Sequence, residues 1–479
     1  MLPQIKDYSD MKRTVLILSL LVLAITTLDA KVVLPSVFSD NMVLQQQTDV
    51  AIWGKAEPGK KVTISASWMR SKVVVYAGDD GKWSTKVATP SAGGPYEITF
   101  NDGDRLTLNN VLIGEVWICS GQSNMQMPME GFQGQPVKDA AEYIMSAKPS
   151  VPVRSCNFVR TKSFDLMDDC KAKWYEHTPD GVADASAVAY FFARKLYEVL
   201  GVPVGVINLS WGSTPIEAWM DPELLAEEFP QISLSHLQTR TWPEKKPHQA
   251  AGVLYNAMLY PLAGYTAKGF IWYQGCSNGK DPQLYKKLQP AFVEMLRRDW
   301  GDDNMPFYYT QLAQYKTINP ELRWVQAQNL AEIPCSGMAT AFDVGEYDCI
   351  HPANKKVVGD RLAYIALTKD YGYDRIDACT PVPVSFEFGD GEAIVNFQVG
   401  KLGLSPRRVD IDGFELAGED GVFYPAKARV AEDGGKYIKV YKCPEVKHPV
   451  AVRYGMEYWC TPTLYNCYGI PASPFRSDN

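Results

Sequence analysis

The sequence predicts an α/β domain built on a parallel sheet, with a smaller β module on either side. Three observations predict it. Continuous apolar runs alternate with helical segments through the middle of the chain, and short alternating runs separated by turn clusters both precede and follow them. With 479 residues, and roughly 150 residues to a domain, about three units are expected.

The chain opens on an export signal. Lys12 and Arg13 precede the apolar run Val15 to Ile25, which gives way to Thr26-Thr27-Leu28-Asp29-Ala30. A basic start, a short apolar run and a small residue at the end describe a secretory signal peptide over residues 1–30. The run falls short of the ~20 residues a spanning helix needs, so no stable membrane insertion is expected. Met11 stands directly before Lys12, so residues 1–10 are expected to be an upstream extension. The mature chain is expected to begin near Lys31 and to be secreted or periplasmic.

Residues 31–110 read as a β-sandwich-like module. Runs such as Lys61 to Ser65 and Tyr96 to Phe100 are separated by Glu57-Pro58-Gly59, Asp79-Asp80-Gly81, Gly93-Gly94-Pro95 and Asn101-Asp102-Gly103. Residues 111–375 form the α/β unit. Its strand candidates are Val111 to Cys119, Val204 to Leu209, Gly269 to Tyr273, Phe307 to Leu312 and Met338 to Phe342. Its helix candidates are Ser186 to Leu200, Leu284 to Trp300, Arg323 to Ile333 and Asn354 to Thr368. Residues 380–479 return to short β runs, including Ala393 to Phe397 and Tyr437 to Tyr441.

Composition excludes several classes. With 46 % apolar and 22 % charged residues the chain is neither disordered, collagen-like nor coiled-coil. Forty-eight Lys and Arg against 55 Asp and Glu give a net charge of -7, without the basic footprint of a nucleic-acid binder. Aromatics reach 12 %, which serves either large cores or a sugar-stacking surface. Ten cysteines in an exported chain make disulfides expected, but the spacing leaves their pairing open. No Cys-x-x-Cys occurs and only 5 His are present, so a structural zinc site is not expected.

The first α/β strand ends in Cys119-Ser120-Gly121-Gln122-Ser123-Asn124-Met125. A serine just beyond such a strand projects at the edge where α/β sheets bind ligands, so Ser123 is a candidate nucleophile as well as a turn residue. Its hydroxyl needs a base. His177, His236, His248 and His448 lie in polar loops, surface-like segments or the C-terminal module. His351, in Asp348-Cys349-Ile350-His351-Pro352, follows the last α/β strand and opens a helix. An acid three residues earlier, Asp348, can turn back to Nδ1 of His351 and leave Nε2 for the serine. Read alone, the two are equally loop and helix-cap residues. Acyl transfer also needs N–H donors where negative charge develops. Gly212, in Ser210-Trp211-Gly212-Ser213-Thr214, offers its amide, and Gln274 or Asn278, in Trp272-Tyr273-Gln274-Gly275-Cys276-Ser277-Asn278, offers a side-chain amide.

These blocks resemble a known family. Gly114 to Met125, Trp211-Gly212-Ser213-Thr214 with Glu217-Ala218-Trp219, Trp272-Tyr273-Gln274-Gly275, and Ile350-His351-Pro352 with Lys355 are similar to sialate O-acetylesterase-type carbohydrate esterases of the SGNH (GDSL-like) hydrolase superfamily. Phe38 to Gln45 and Gly93-Gly94-Pro95-Tyr96 resemble that family's N-terminal β module, so the likeness covers most of the mature chain. The resemblance implies a three-layer α/β/α catalytic domain, Ser123 as nucleophile and His351 as general base. It places the Ser123 and Gly212 amides in the oxyanion hole, with Gln274 preferred over Asn278 as third donor, and it implies no metal or organic cofactor.

Two departures stand out. Relatives commonly read Trp-Tyr-Gln-Gly-Glu-Ser-Asn where this chain has Cys276, and Asp-Ile-His-Pro where it has Cys349. Both acidic positions having become cysteine suggests a Cys276–Cys349 disulfide beside the site, with Asp348 left as the acid for His351. The activity implied is a secreted serine esterase that removes O-acetyl groups from sugars through an acyl-enzyme. Its partner would be an acetylated sugar or glycan, either O-acetyl sialic acid or acetylated xylan, mannan or pectin. A non-catalytic glycan-binding protein on the same fold and a lipase-like esterase are the competing readings.

Overall fold

The computed structural model describes residues 31–478, so the signal-peptide reading lies outside the described residues. The central sheet holds seven strands: β1 (Arg105–Gly121), β2 (Val153–Phe158), β3 (Ala172–Tyr175), β4 (Val204–Ser210), β5 (Gly269–Tyr273), β6 (Phe307–Gln311) and β7 (Ser336–Thr340). Their order is β7-β6-β5-β1-β4-β2-β3, and every pairing is parallel except β2 with β3. β4 to β7 are buried along their whole length, as expected of strands covered on both faces. The five strands read from the sequence are present. β2 and β3 go unannounced, because Arg154, Ser155 and Asn157 break the apolar run and Lys173 interrupts the other.

Helices sandwich this sheet. α2 (Ala187–Leu200) packs on α5 (Lys355–Asp370), and α3 (Pro282–Trp300) packs on α4 (Pro320–Glu332). Successive residues of β6 identify the two faces. The Tyr308 hydroxyl donates to Asp370 on α5 at 2.6 Å, while the Tyr309 hydroxyl donates to the Gln326 carbonyl on α4 at 2.7 Å. The helices start where polar caps allow. Ser186 accepts the Ala189 N–H ahead of α2, and Asp281 accepts the Leu284 N–H ahead of α3, which carries Pro282 in its first turn.

The N-terminal module consists of a two-stranded ladder (Asp49–Lys55 with Lys82–Ala88) facing a sheet made by Val43–Gln45, Lys61–Ala66, Val73–Tyr76, Gly93–Asn101 and the first half of β1. Strand β1 therefore serves two sheets. Residues 105–113 pair with Gly93–Asn101, and residues 115–121 pair with β4 and β5, so position 110 lies inside one continuous strand. The C-terminal module is a seven-stranded antiparallel sheet running from Val382–Gly389 to Phe475–Arg476. It is sealed to the α/β unit by Phe342, which is buried in the module's core, and by a reciprocal pair in which Gln314 donates to the Cys460 carbonyl (2.8 Å) and accepts its N–H (2.6 Å).

Candidate active site

The register of the central sheet builds the site. Ser210, Gly121 and Tyr273 are level neighbours on β4, β1 and β5, so Trp211, Gln122 and Gln274 leave the sheet side by side. This is where the chain switches direction across the sheet, the place such folds bind ligands. Gly121 is required here. Its φ of +143° and the Tyr273 carbonyl, which a Cβ would strike, exclude a side chain. The Trp211 N–H bonds the Gly121 carbonyl at 3.1 Å, and the Gly275 N–H bonds the buried Gln122 Oε1 at 3.1 Å, which laces the three strand ends together.

Ser123 opens the one-turn helix α1 (Ser123–Gln126), so its own N–H has no acceptor within the helix. Across from it, residues 345–354 carry His351. Nε2 of His351 lies 2.7 Å from Ser123 Oγ, and Nδ1 lies 2.5 Å from Gln135 Oε1. An amide oxygen can only accept, so Nδ1 carries the hydrogen and Nε2 is left to accept from the serine hydroxyl. The Phe132 ring meets the His351 ring edge-on at 5.3 Å, and the Lys138 N–H bonds the Ala353 carbonyl at 2.9 Å. The loop carrying Gln135 and the loop carrying His351 are thus one packed unit. Burial, aided by the nearby Lys355 charge, pushes His351 down to about 4, so its imidazole is neutral across the ordinary pH range.

Asp348 does not orient His351. The Glu346–Cys349 bridge places Asp348 at the outer corner of a turn, where its side chain is 82 % exposed and its carboxylate binds Lys316 at 2.9 Å. Gln135, more than 200 residues away in sequence, holds the position that the Asp-x-x-His spacing assigned to the acid. The expected Cys276–Cys349 bridge is also absent. Both cysteines are free, the Cys349 thiol being turned toward the carbonyl of His351 in its own loop (3.3 Å). Burial raises the Cys276 thiol to about 12 and keeps it protonated.

Of the expected oxyanion donors beyond the serine's own amide, Gly212 lies beside Ser123. A Cβ at Gly212 would lie 3.2 Å from Ser123 Cβ. Its N–H is occupied in this resting site, donating to Gln126 Oε1 at 2.6 Å. Gln274 is turned into the protein interior. It is fully buried and spends both hydrogens, on the Thr214 carbonyl (3.1 Å) and on Asn278 Oδ1 (2.7 Å). Asn278 in turn donates to Glu217 Oε2 at 2.8 Å and accepts the Ile216 N–H at 3.0 Å. These two amides therefore brace the loop after β4 against the loop after β5 and do not serve as free donors. Beside Gly212, Trp211 lies flat against His248, with ring centroids 4.7 Å apart and planes 6° off parallel.

Among the described residues no group of three or more His, Cys, Asp or Glu is placed to hold a metal ion, and no helix is long and apolar enough to cross a membrane. Sequence reasoning missed Gln126 and Gln135. Gln126 lies three residues after Ser123 on the same turn, where helical spacing would have flagged it. Gln135 sits in an irregular loop that carries no periodic signal.

Comparison with known proteins identifies the family. Residues 113–368 match the family of sialic acid-specific acetylesterases among the carbohydrate esterases. Human sialate O-acetylesterase is 27 % identical over 490 aligned positions, covering 92 % of this chain and 91 % of the human one. Mouse sialate O-acetylesterase is 28 % identical over 423, covering 75 % and 77 %. The crystal structure of a carbohydrate acetylesterase from Xanthomonas citri superposes with a TM-score of 0.84 at 31 % identity, covering 94 % of this chain and all of that one. The chain belongs to the sialic acid-specific acetylesterase family of carbohydrate esterases, and is a carboxylic ester hydrolase.

Proposed function

We propose that the protein is an exported serine esterase that removes O-acetyl groups from sugars, with O-acetylated sialic acid as its first substrate class. The observation that carries this reading is the Ser123 Oγ to His351 Nε2 contact at 2.7 Å, on a histidine whose other nitrogen is already committed to Gln135. In the first half-reaction Ser123 Oγ attacks the acetyl carbonyl carbon while His351 Nε2 takes the hydroxyl proton. The carbonyl oxygen becomes an oxyanion facing the Ser123 and Gly212 N–H groups, and displaces Gln126 Oε1 from Gly212 as it arrives. Collapse breaks the bond to the sugar oxygen, which leaves with the proton from His351. In the second half-reaction His351 deprotonates water, water attacks the acetyl-serine, and acetate departs as Ser123 recovers its proton. No metal or organic cofactor enters these steps.

Acetylated polysaccharide of the xylan, mannan or pectin type is the second reading. It is favoured by the Xanthomonas citri carbohydrate acetylesterase being as similar in sequence as the sialate enzymes. A non-catalytic glycan-binding role has the bonded Ser123–His351 pair against it. Acetate release from O-acetylated mucin, xylan and pectin and from long-chain esters, each compared with Ser123→Ala, tests the reading. Mucin is expected to be turned over fastest and the variant to release none. Equal release by the variant overturns the mechanism, and preference for xylan or pectin reassigns the substrate. The basic residues Lys12 and Arg13 ahead of the apolar run Val15 to Ile25 support action outside the cytoplasm, which fractionation of cells making the full chain would test.

A further inference from the structure

Lys355, the first residue of α5, is 1 % exposed, and a lysine so deep in a protein ordinarily has a carboxylate beside it. Among the described residues none lies within ion-pair distance of its ammonium. Its hydrogen-bond partner is Oδ1 of Asn124, itself buried, whose Nδ2 donates to the Ile350 carbonyl at 3.0 Å. Asn124 adjoins Ser123 in the chain and Ile350 adjoins His351. One buried cation is therefore linked through one amide to the neighbours of both members of the Ser–His pair.

The groups facing this ammonium are weak compensators. Cys276, Cys349 and the Glu346 carboxylate face it without ion-pair contact, and the carboxylate also accepts the Ala353 N–H at 2.7 Å. On the far side of the histidine stands the neutral Gln135. Among the described residues no carboxylate is in ion-pair contact with this ammonium or bonded to the histidine, unlike a Ser–His–acid arrangement.

We propose that Lys355 is a positioning residue for the Ser123–His351 pair: through Asn124 it ties the nucleophile's helix to the histidine loop, and its ammonium supplies a fixed positive charge beneath the site. That charge opposes formation of imidazolium and favours the anionic tetrahedral intermediate, so the pair remains competent in acid. Burial lowers the ammonium itself to about 7, so its charge is fully present in the acidic range where it acts.

The activity readout rests on the esterase reading above, so the deciding experiment reads the histidine directly. In nitrogen-15 histidine-labelled Ser123→Ala protein, the His351 ring is titrated by NMR with Lys355 intact, with Lys355→Gln, and with Lys355→Met. With Lys355 intact the midpoint is expected well below the ordinary ~6.5. Both variants should move it upward by about one unit or more, although Gln retains a bond to Asn124. A parent midpoint at or above ~6.5, or one unmoved in a folded variant, overturns the proposal. Should neither variant fold, a parent midpoint at or above ~6.5 still overturns the proposal. The acid limb of kcat/KM for p-nitrophenyl acetate, measured with Ser123 present, should follow the same midpoints. Absence of esterase activity in the parent, with the NMR shift present, would overturn the esterase reading and leave the charge assignment standing.

Discussion

Replacing Gln135 separates this site from a conventional triad. In Gln135→Ala the Nδ1 hydrogen of His351 loses its acceptor in a half-buried setting. Leaving such a donor unpaired costs about 1–2 kcal/mol, which corresponds to roughly 5- to 30-fold in kcat/KM if the bond persists to the transition state. Gln135→Glu is more diagnostic, because it places a carboxylate at 2.5 Å from Nδ1 without changing the shape of the side chain. An adjacent opposite charge raises a histidine by about 1–3 units. The sign follows from the lowered value of about 4 in the parent. At pH 5 the parent imidazole is about nine-tenths neutral and sits on the activity plateau. A midpoint raised to about 6 would leave only about a tenth neutral and cost roughly ninefold at that pH, while recovering fully by pH 8. The assay is the pH dependence of kcat/KM for p-nitrophenyl acetate from 4 to 8. An acid limb at the same pH in both proteins, or full activity in Gln135→Ala, would refute the role given to Gln135.

Other outcomes follow from the same geometry. Asp348→Asn should leave kcat/KM within about twofold, because an exposed pair with Lys316 is worth only about 0–1 kcal/mol. Peptide mapping of thiol-blocked, unreduced protein should find Cys276 and Cys349 both alkylated, and a linked peptide would contradict their free state. Gly212→Ala, which brings a Cβ to 3.2 Å from Ser123 Cβ, should lower kcat by on the order of 10²-fold with an unchanged unfolding midpoint. Because β1 is shared by two sheets, a chain beginning at residue 111 should fail to give soluble folded protein, and a cooperative unfolding transition for it would show the α/β unit to be independent.

The elements that position the site were legible because they obey local rules. β5 was read with the same ends, Gly269 to Tyr273, since an unbroken apolar run bounded by Gly and Gln leaves no other choice. Ser186 and Asn354 were read as opening their helices, and both are caps. Ser123 and His351 were found because each follows a strand at the same sheet edge. What failed were statements about direction. The Asp-x-x-His spacing needs a loop that folds back, and the Glu346–Cys349 turn instead sends Asp348 to solvent. Gln274 sits at the expected strand end, but its side chain goes to the interior and pairs with Asn278. Gln135 reaches His351 across 216 residues, and no local pattern encodes a contact of that range.

The central claim is that Ser123 and His351 act as one catalytic unit, and kcat for acetate release by Ser123→Ala, His351→Ala and the double variant tests it most directly. Residues that work as a unit are non-additive, so each single loss should approach that of the double, at about 10³-fold or more below the parent. Near-parent turnover in either folded single variant, or a double loss equal to the product of the two single losses, would contradict the account.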